Sequence, residues 1–165
     1  MNDINYAEIK NYDIANGPGI RVSLFVSGCT NHCPGCFNKE TWNFNYGIPF
    51  TDETINVIIE MLNNKHIAGL SLLGGEPMEE SNRKALLPLV KKVKSSYPDK
   101  DIWCYTGYLY EDVIEYEILQ YIDILVDGRF IEKLKKANLR FKGSTNQRII
   151  NIKESIEKSE IILWK

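Results

Sequence analysis

The sequence lacks several features that would place it in a special class of protein. It has only two histidines among 165 residues, and its formal net charge is −2. This near balance of charge argues against a nucleic-acid or anionic membrane partner. No apolar run reaches the ~18 residues that a membrane span needs, and MNDINYAEIK does not resemble a signal peptide. We therefore expect a single cytoplasmic domain over residues 1–165.

Cysteines are also few, but three of the four lie within eight residues. The stretch CTNHCPGC, residues 29–36, has the spacing C-x3-C-x2-C. In a reducing compartment this indicates a metal or redox site rather than disulfides. The run is too short for a strand or a full helix, so we expect a loop that directs the thiols of Cys29, Cys33 and Cys36 toward one point. Closed zinc and iron–sulfur sites take four ligands, so three thiols leave one position open.

Two other interpretations of these cysteines stay open. A zinc site would need a fourth ligand, either His32, which adjoins Cys33 in a tight loop, or Cys104, which we expect to be a core thiol. A thioredoxin-like pair of Cys33 and Cys36 would leave Cys29 without a role. Ligation of a cluster by all three cysteines is the interpretation we favour.

Strand and helix patterns alternate along most of the chain. The apolar patterns of strands occur at residues 21–28, 68–73, 101–106, 122–126 and 147–152. Helical patterns occur at residues 51–62, 81–96 and 111–120, with one or two turns over 131–137. Thr51 is the expected N-cap of the first helix, and Pro88 predicts a kink or a late start in the second.

This alternation is typical of a parallel α/β sheet with right-handed crossovers. A closed eight-stranded barrel takes ~250 residues, so we expect an open partial (βα) barrel of about five or six parallel strands. Ligands of such sheets bind at the carboxyl ends of the strands. Polar or glycine-rich loops follow four of the predicted strands, at residues 29–36, 74–77, 106–107 and 127–128. We therefore expect the active face along this rim.

In this order, the motifs resemble those of the radical S-adenosylmethionine (SAM) enzymes, and more closely those of the glycyl-radical-enzyme activases. The resemblance rests on the cysteine motif after a first strand and Gly-Gly-Glu-Pro after the second. Matching blocks lie at residues 16–21, 25–29, 33–38, 69–77, 102–108, 123–130 and 143–148. The VDGRF and GSTNQR blocks favour the branch that activates anaerobic (class III) ribonucleotide reductases.

The resemblance implies a 4Fe-4S cluster held by Cys29, Cys33 and Cys36, with SAM on the fourth iron. An external one-electron donor such as flavodoxin would reduce the cluster, and SAM would be cleaved to methionine and a 5′-deoxyadenosyl radical. That radical would take a hydrogen atom from a glycine of the large subunit of an anaerobic ribonucleotide reductase. Because the cofactors carry the chemistry, no residue is expected to act as a general acid or base.

The resemblance also implies the residues that bind SAM. They are Gly35, Cys36, Phe37 and Asn38 in the cluster loop, and Gly74, Gly75, Glu76 and Pro77, which would receive the SAM amino group. Many of these enzymes have an aromatic residue at the position of Gly35, so Phe37 would replace it against adenine. Asn16 stands where related activases often have the Asp of a cation site with Thr106 and Asp127, and its lack of charge argues against such a site. Arg129 would either bind the SAM carboxylate or be a surface residue.

Two alternative functions stay open. One is activation of another glycyl radical enzyme, such as pyruvate formate-lyase, and the other is a non-enzymatic zinc or electron-transfer module. Two segments also allow two interpretations. Residues 42–50 are rich in aromatics, which fits packing around an irregular loop better than a binding surface. Residues 140–148 form either a turn into the last strand or a surface for the reductase beside the gap of an open barrel.

Overall fold

The computed structural model describes residues 3–36 and 39–165, which form an α/β structure around one mixed sheet. The strands of this described part are β1 (Asn5–Asp13), β2 (Ile20–Val26), β3 (Ile48–Pro49), β4 (Ile67–Gly74), β5 (Asp101–Tyr105), β6 (Ile124–Asp127) and β7 (Arg148–Asn151). Its α-helices are α1 (Asp52–Leu62), α2 (Glu80–Ser96), α3 (Tyr110–Val113) and α4 (Ile152–Lys158). Three-residue to four-residue 3-10 turns occur at Lys39–Trp42, Glu117–Gln120 and Glu132–Leu134.

The sheet is open, with the strand order β3-β1-β2-β4-β5-β6-β7. Its central strands β2, β4, β5 and β6 pair in parallel. At one edge β1 and β3 are antiparallel, and at the other edge β7 is antiparallel to β6. The carboxyl ends of the central strands therefore meet at one rim of the sheet.

The prediction of five or six parallel strands is wrong in number, since four strands of the described chain run parallel. Strand β7 is antiparallel to β6 because the connection between them, residues 128–147, contains a 3-10 turn and no crossover α-helix. The sequence analysis did not predict β1. Strand β1 lies between β2 and the two-residue β3, and only Asp13 of its nine residues is buried, so it lacks the alternating apolar face that marks a half-buried strand.

The helix predictions succeed where a local signal is strong. Thr51 caps α1, because its hydroxyl accepts from the backbone N–H of Thr54 while its own N–H donates to the Thr54 hydroxyl. Helix α2 begins at Glu80, so Pro88 lies inside it and does not delay its start. The helix predicted over 111–120 is instead α3 followed by a 3-10 turn.

The two faces of the sheet are covered differently. Helices α1 and α2 supply residues such as Ile58 and Leu89 to a core that also contains Ile102 and Cys104 of β5. Trp103, between these two strand residues, points to the opposite face, as strand alternation requires. There it packs edge-on to Phe141 and Trp164. The expectation that Cys104 is a core thiol is confirmed, and burial raises its pKa.

Within the residues that the structure describes, none of the helices combines the length and the apolar character needed to traverse a membrane.

Candidate functional site

The carboxyl ends of the parallel strands open into a cavity of about 380 Å³. Its walls include residues from each of the loops that follow these strands: Cys29, Cys33 and Cys36 after β2, Gly74, Gly75 and Glu76 after β4, Thr106 and Gly107 after β5, and Gly128 after β6. We call residues 29–36 the cysteine loop, residues 74–77 the β4 loop and residues 106–108 the β5 loop. Four segments that are distant in sequence thus face one space.

The cysteine loop follows Gly28 after β2, and two backbone hydrogen bonds hold its start to residues 41 and 42. Gly28 has a left-handed φ of 103°, and a side chain there would overlap the ring of Phe44. Its N–H donates to the carbonyl of Thr41 over 2.6 Å, and the N–H of Cys29 donates to the carbonyl of Trp42 over 3.2 Å. Backbone carbonyls of residues 41 and 42 therefore hold the start of the cysteine loop in place.

The thiols of Cys29, Cys33 and Cys36 line the cavity, and none of the chain's four cysteines, all of which are described, forms a disulfide. Across residues 3–36 and 39–165, however, no three His, Cys, Asp or Glu side chains are grouped closely enough to hold a metal ion. Three thiols on one cavity wall are a soft donor set that suits an iron–sulfur cluster. The donor set fits a cluster, in which each thiolate would bind a different iron, so the three sulfur atoms need not meet at one ion.

The buried side chain of Glu76 is hydrogen-bonded to several of the loops around the cavity. Its side chain is 1% exposed, and its carboxylate accepts from Asn31 Nδ2 over 2.9 Å and from the N–H of Gly107 over 2.7 Å. It also accepts from the Thr106 hydroxyl over 2.7 Å and from the N–H of Met78 over 2.9 Å. Burial raises the pKa of Glu76 to about 7, although these hydrogen bonds act in the opposite direction. The carboxylate therefore joins the cysteine loop, the β4 loop and the β5 loop.

A second contact, at the outer edge of the rim, joins the cysteine loop and the β5 loop to Glu79 at the start of α2. The carboxylate of Glu79 accepts from the hydroxyl of Thr30 in the cysteine loop over 2.8 Å. It also accepts from the hydroxyl of Tyr108 in the β5 loop over 2.8 Å. The two residues that follow Cys29 are thus both anchored to neighbouring segments.

Asn82, in the first turns of α2, fastens the bases of the cysteine and β4 loops together. It is fully buried, and its Nδ2 donates to the carbonyls of Ser27 over 3.0 Å and Glu76 over 2.9 Å. The N–H of Glu76 in turn donates to the carbonyl of Gly28 over 2.8 Å. Sequence reasoning missed Asn82. The available signal was a polar residue in phase with the apolar positions of α2, four residues before Leu86.

Of the three residues of the suggested cation site, Asn16 and Thr106 line the cavity, but Asp127 does not. Asp127 is fully buried and is bonded by the guanidinium of Arg148, with N–O distances of 3.1 and 2.5 Å. Thr106 donates to Glu76, and Asn16 donates through Nδ2 to Asp13 over 2.7 Å. Each of the three therefore has its own protein partner, and the geometry gives no support to a cation site formed by them.

The other residues implied to bind SAM are either absent from the cavity wall or outside the described residues. Phe37 and Asn38 lie outside the described residues, and Pro77, although buried, is not part of the cavity wall. The guanidinium of Arg129 donates to the carbonyl of Asn31 and does not line the cavity.

Gly35 has a left-handed φ of 77°, and a side chain there would collide with the carboxylate of Glu132. The left-handed φ disfavours any side chain at this position, whereas the exposed Glu132 side chain could move aside. Aromatic residues that sequence reasoning did not assign to the site do line the cavity: Trp42, Tyr105, Phe130 and Phe141. Trp42 also stacks on His32 of the cysteine loop, with ring centroids 4.4 Å apart, so it both packs on this loop and faces the cavity.

Comparison with known proteins agrees with this site. The family model of a 4Fe-4S single cluster domain matches residues 15–150. The anaerobic ribonucleoside-triphosphate reductase-activating protein of Enterobacteria phage T4 is 43% identical over 146 residues, which are 88% of this chain and 93% of that protein. The protein of the same name from Escherichia coli K12 is 43% identical over 148 residues, covering 87% and 96%. That from Haemophilus influenzae is 42% identical over 154 residues, covering 91% and 99%. The chain therefore belongs to the family of anaerobic ribonucleoside-triphosphate reductase-activating proteins and contains its 4Fe-4S single cluster domain.

Proposed function

We propose that this protein activates an anaerobic ribonucleotide reductase by generating its glycyl radical through reductive cleavage of SAM at a 4Fe-4S cluster. One observation carries the proposal: the three thiols of the cysteine loop and the glycines of the β4 loop line one cavity at the carboxyl ends of parallel strands. The relatives described above are named as reductase-activating proteins, which supports the choice of partner over pyruvate formate-lyase.

Cys29, Cys33 and Cys36 would hold the cluster. Burial raises the pKa of the Cys29 thiol, and the positive charge of bound iron would favour its thiolate. When bound, the cluster supplies the electron that breaks the sulfonium bond of SAM. A three-cysteine set leaves one iron without a protein ligand, which is the position that SAM would take.

The β4 loop would receive SAM through its backbone. Gly74 and Gly75 line the cavity without side chains, so a ligand can approach the peptide groups closely. The neighbouring Glu76 carboxylate already accepts four hydrogen bonds from the protein. We infer that backbone oxygens of this loop, rather than this carboxylate, would accept hydrogen bonds from the SAM amino group.

The remaining parts of the proposal concern fold and context. The open sheet with four parallel strands and a cavity at their carboxyl ends supports a partial barrel of the radical SAM type over a single domain, residues 1–165. A one-electron donor such as flavodoxin would reduce the cluster. The protein would act in the cytoplasm, where thiols such as those of the cysteine loop remain reduced.

Anaerobic reconstitution with iron and sulfide tests the proposal. We expect a 4Fe-4S signal, SAM cleavage on reduction with dithionite, and a glycyl radical detected by electron paramagnetic resonance when a purified anaerobic reductase is present. Alanine at any of Cys29, Cys33 and Cys36 should abolish SAM cleavage, whereas Cys104→Ala should retain the cluster.

Zinc in place of iron and sulfide would refute the proposal and favour the non-enzymatic module. SAM cleavage without a radical on the reductase, but with a radical on pyruvate formate-lyase, would keep the chemistry and replace the partner.

A further inference from the structure

We propose that residues 129–142, here called the basic lip, are the docking surface for an acidic protein surface around the target glycine of the reductase. This inference rests on the proposed function. It adds where the partner binds, and which chemistry its surface must have.

The basic lip concentrates the positive charge of an otherwise acidic chain. Its 14 positions contain six of the 20 Lys and Arg residues but one of the 22 Asp and Glu residues. The six cations are Arg129, Lys133, Lys135, Lys136, Arg140 and Lys142. Because the whole chain has a net charge of −2, the rest of the molecule is clearly negative. An acidic partner would therefore be attracted to the lip and repelled elsewhere.

The basic lip lies directly against the candidate site. Arg129 donates to the carbonyl of Asn31 in the cysteine loop, and the carboxylate of Glu132 packs against Gly35. Further along, Leu139, Phe141 and Lys142 line the cavity. A protein that covers this segment would thus also cover the edge of the cavity.

Five of the six cations of the basic lip form no ion pair with the residues that the structure describes. These five are Arg129, Lys133, Lys136, Arg140 and Lys142. Both Lys133 and Lys136 are exposed.

Apolar side chains are exposed on the same segment. Ile131 is 41% exposed and Leu134 is 39% exposed. Exposed apolar groups among cations suit a protein interface better than a phosphate backbone, whose contacts are mainly charged.

The position at the cavity favours the reductase over the electron donor as the occupant. Hydrogen transfer requires the reacting atoms to approach to about 3–3.5 Å. The target glycine must therefore enter the cavity, and the partner surface around it must rest on the cavity edge. An electron donor has no such requirement, since it can approach the cluster from outside the cavity.

The direct test measures binding of a purified anaerobic reductase by isothermal titration calorimetry, with SAM present and no reductant. We expect the variant Lys133→Glu/Lys136→Glu to bind about tenfold more weakly than the unaltered protein, because two attractive contacts become repulsive. The affinity of the unaltered protein should fall as the salt rises from about 0.01 M to about 0.15 M, and that of the variant should fall less.

Matched controls come from α4. Lys153 and Lys158 are also exposed lysines, but α4 begins at the opposite end of the strands, where Asn151 pairs with Ile124 at the start of β6. Lys153→Glu/Lys158→Glu changes the net charge equally and should bind like the unaltered protein. Dithionite-driven SAM cleavage without the reductase should be unchanged in both variants, because none of the four lysines lines the cavity.

Equal weakening by both double variants, or an affinity independent of salt, would overturn the inference. So would unchanged binding of the reductase together with weaker binding of flavodoxin or of duplex DNA. Because binding is measured without turnover, salt-dependent docking without radical formation would refute the proposed function and leave the docking surface standing. Radical formation together with unchanged binding of the lip variant to the reductase would refute the docking surface and leave the proposed function standing.

Discussion

Replacing Asn82 by leucine should loosen the base of the candidate site and lower the stability of the protein. The buried Nδ2 of Asn82 donates to the carbonyls of Ser27 over 3.0 Å and Glu76 over 2.9 Å, with a longer contact of 3.4 Å to the carbonyl of Gly28. Leucine has the same branched shape but donates nothing, and its methyl groups are bulkier than the amide they replace. Each carbonyl that loses its partner in a buried position costs about 1–3 kcal/mol.

Two features reduce this cost. The carbonyl of Glu76 also accepts from the N–H of Glu79 over 3.2 Å, so it keeps one partner in the variant. The Oδ1 of Asn82 is buried with no partner among the described residues, so the substitution also removes one unsatisfied acceptor. We therefore expect a net loss of about 2 kcal/mol. This is a considerable part of the 5–15 kcal/mol that typically stabilises a domain.

Urea unfolding of the cluster-free protein, followed by circular dichroism, measures this loss. With a slope of about 1–3 kcal/mol per molar urea, the midpoint should fall by about 1 M. After reconstitution, the variant should also lose iron to a chelator faster, because the cysteine loop and the β4 loop are no longer fastened together. Asn56→Leu, at an exposed asparagine of α1, is the control and should change stability by less than about 0.5 kcal/mol. An unchanged midpoint and unchanged iron release in Asn82→Leu would refute the reasoning.

Three further predictions concern other parts of the structure. Gly35→Ala should lower the iron content after reconstitution, because alanine is strained at a positive φ and its Cβ meets the Glu132 carboxylate. The double variant Gly35→Ala/Glu132→Gly should recover part of the lost iron content. Arg148→Met should lower the free energy of unfolding in urea by about 3–5 kcal/mol, because it leaves the buried Asp127 without its cation. Adding Asp127→Leu should restore part of this free energy. Burial acts to raise the pKa of Asp13, but its hydrogen bonds outweigh this and hold it below the usual range. Stability from Asp13 is thus present above its unfolded pKa and lost as pH falls through the folded one, and Asp13→Asn should flatten the acid limb of a stability-versus-pH curve.

Sequence reasoning found the parts of the site that are encoded by neighbouring residues. The cysteine spacing and the Gly-Gly-Glu-Pro turn are local, and the three cysteines and the first three residues of the turn line the cavity, whereas Pro77 does not. It did not find Asn82, because the carbonyls that this residue binds belong to another loop, 55 positions away in the case of Ser27. It also missed β1, whose residues are almost all exposed or half-buried and carry no periodic apolar signal.

The role of Glu76 shows why a motif can be assigned correctly and still be incompletely understood. From sequence, this residue belongs to a loop implied to bind SAM. In the folded chain its carboxylate accepts from Asn31 of the cysteine loop and from Thr106 and Gly107 of the β5 loop. The same four-residue segment thus presents backbone to the cavity and ties together the loops around it. Under the proposed function, removal of the Glu76 carboxylate should therefore weaken both cluster retention and SAM affinity, because this group bonds the cysteine loop and adjoins the peptide groups of the β4 loop.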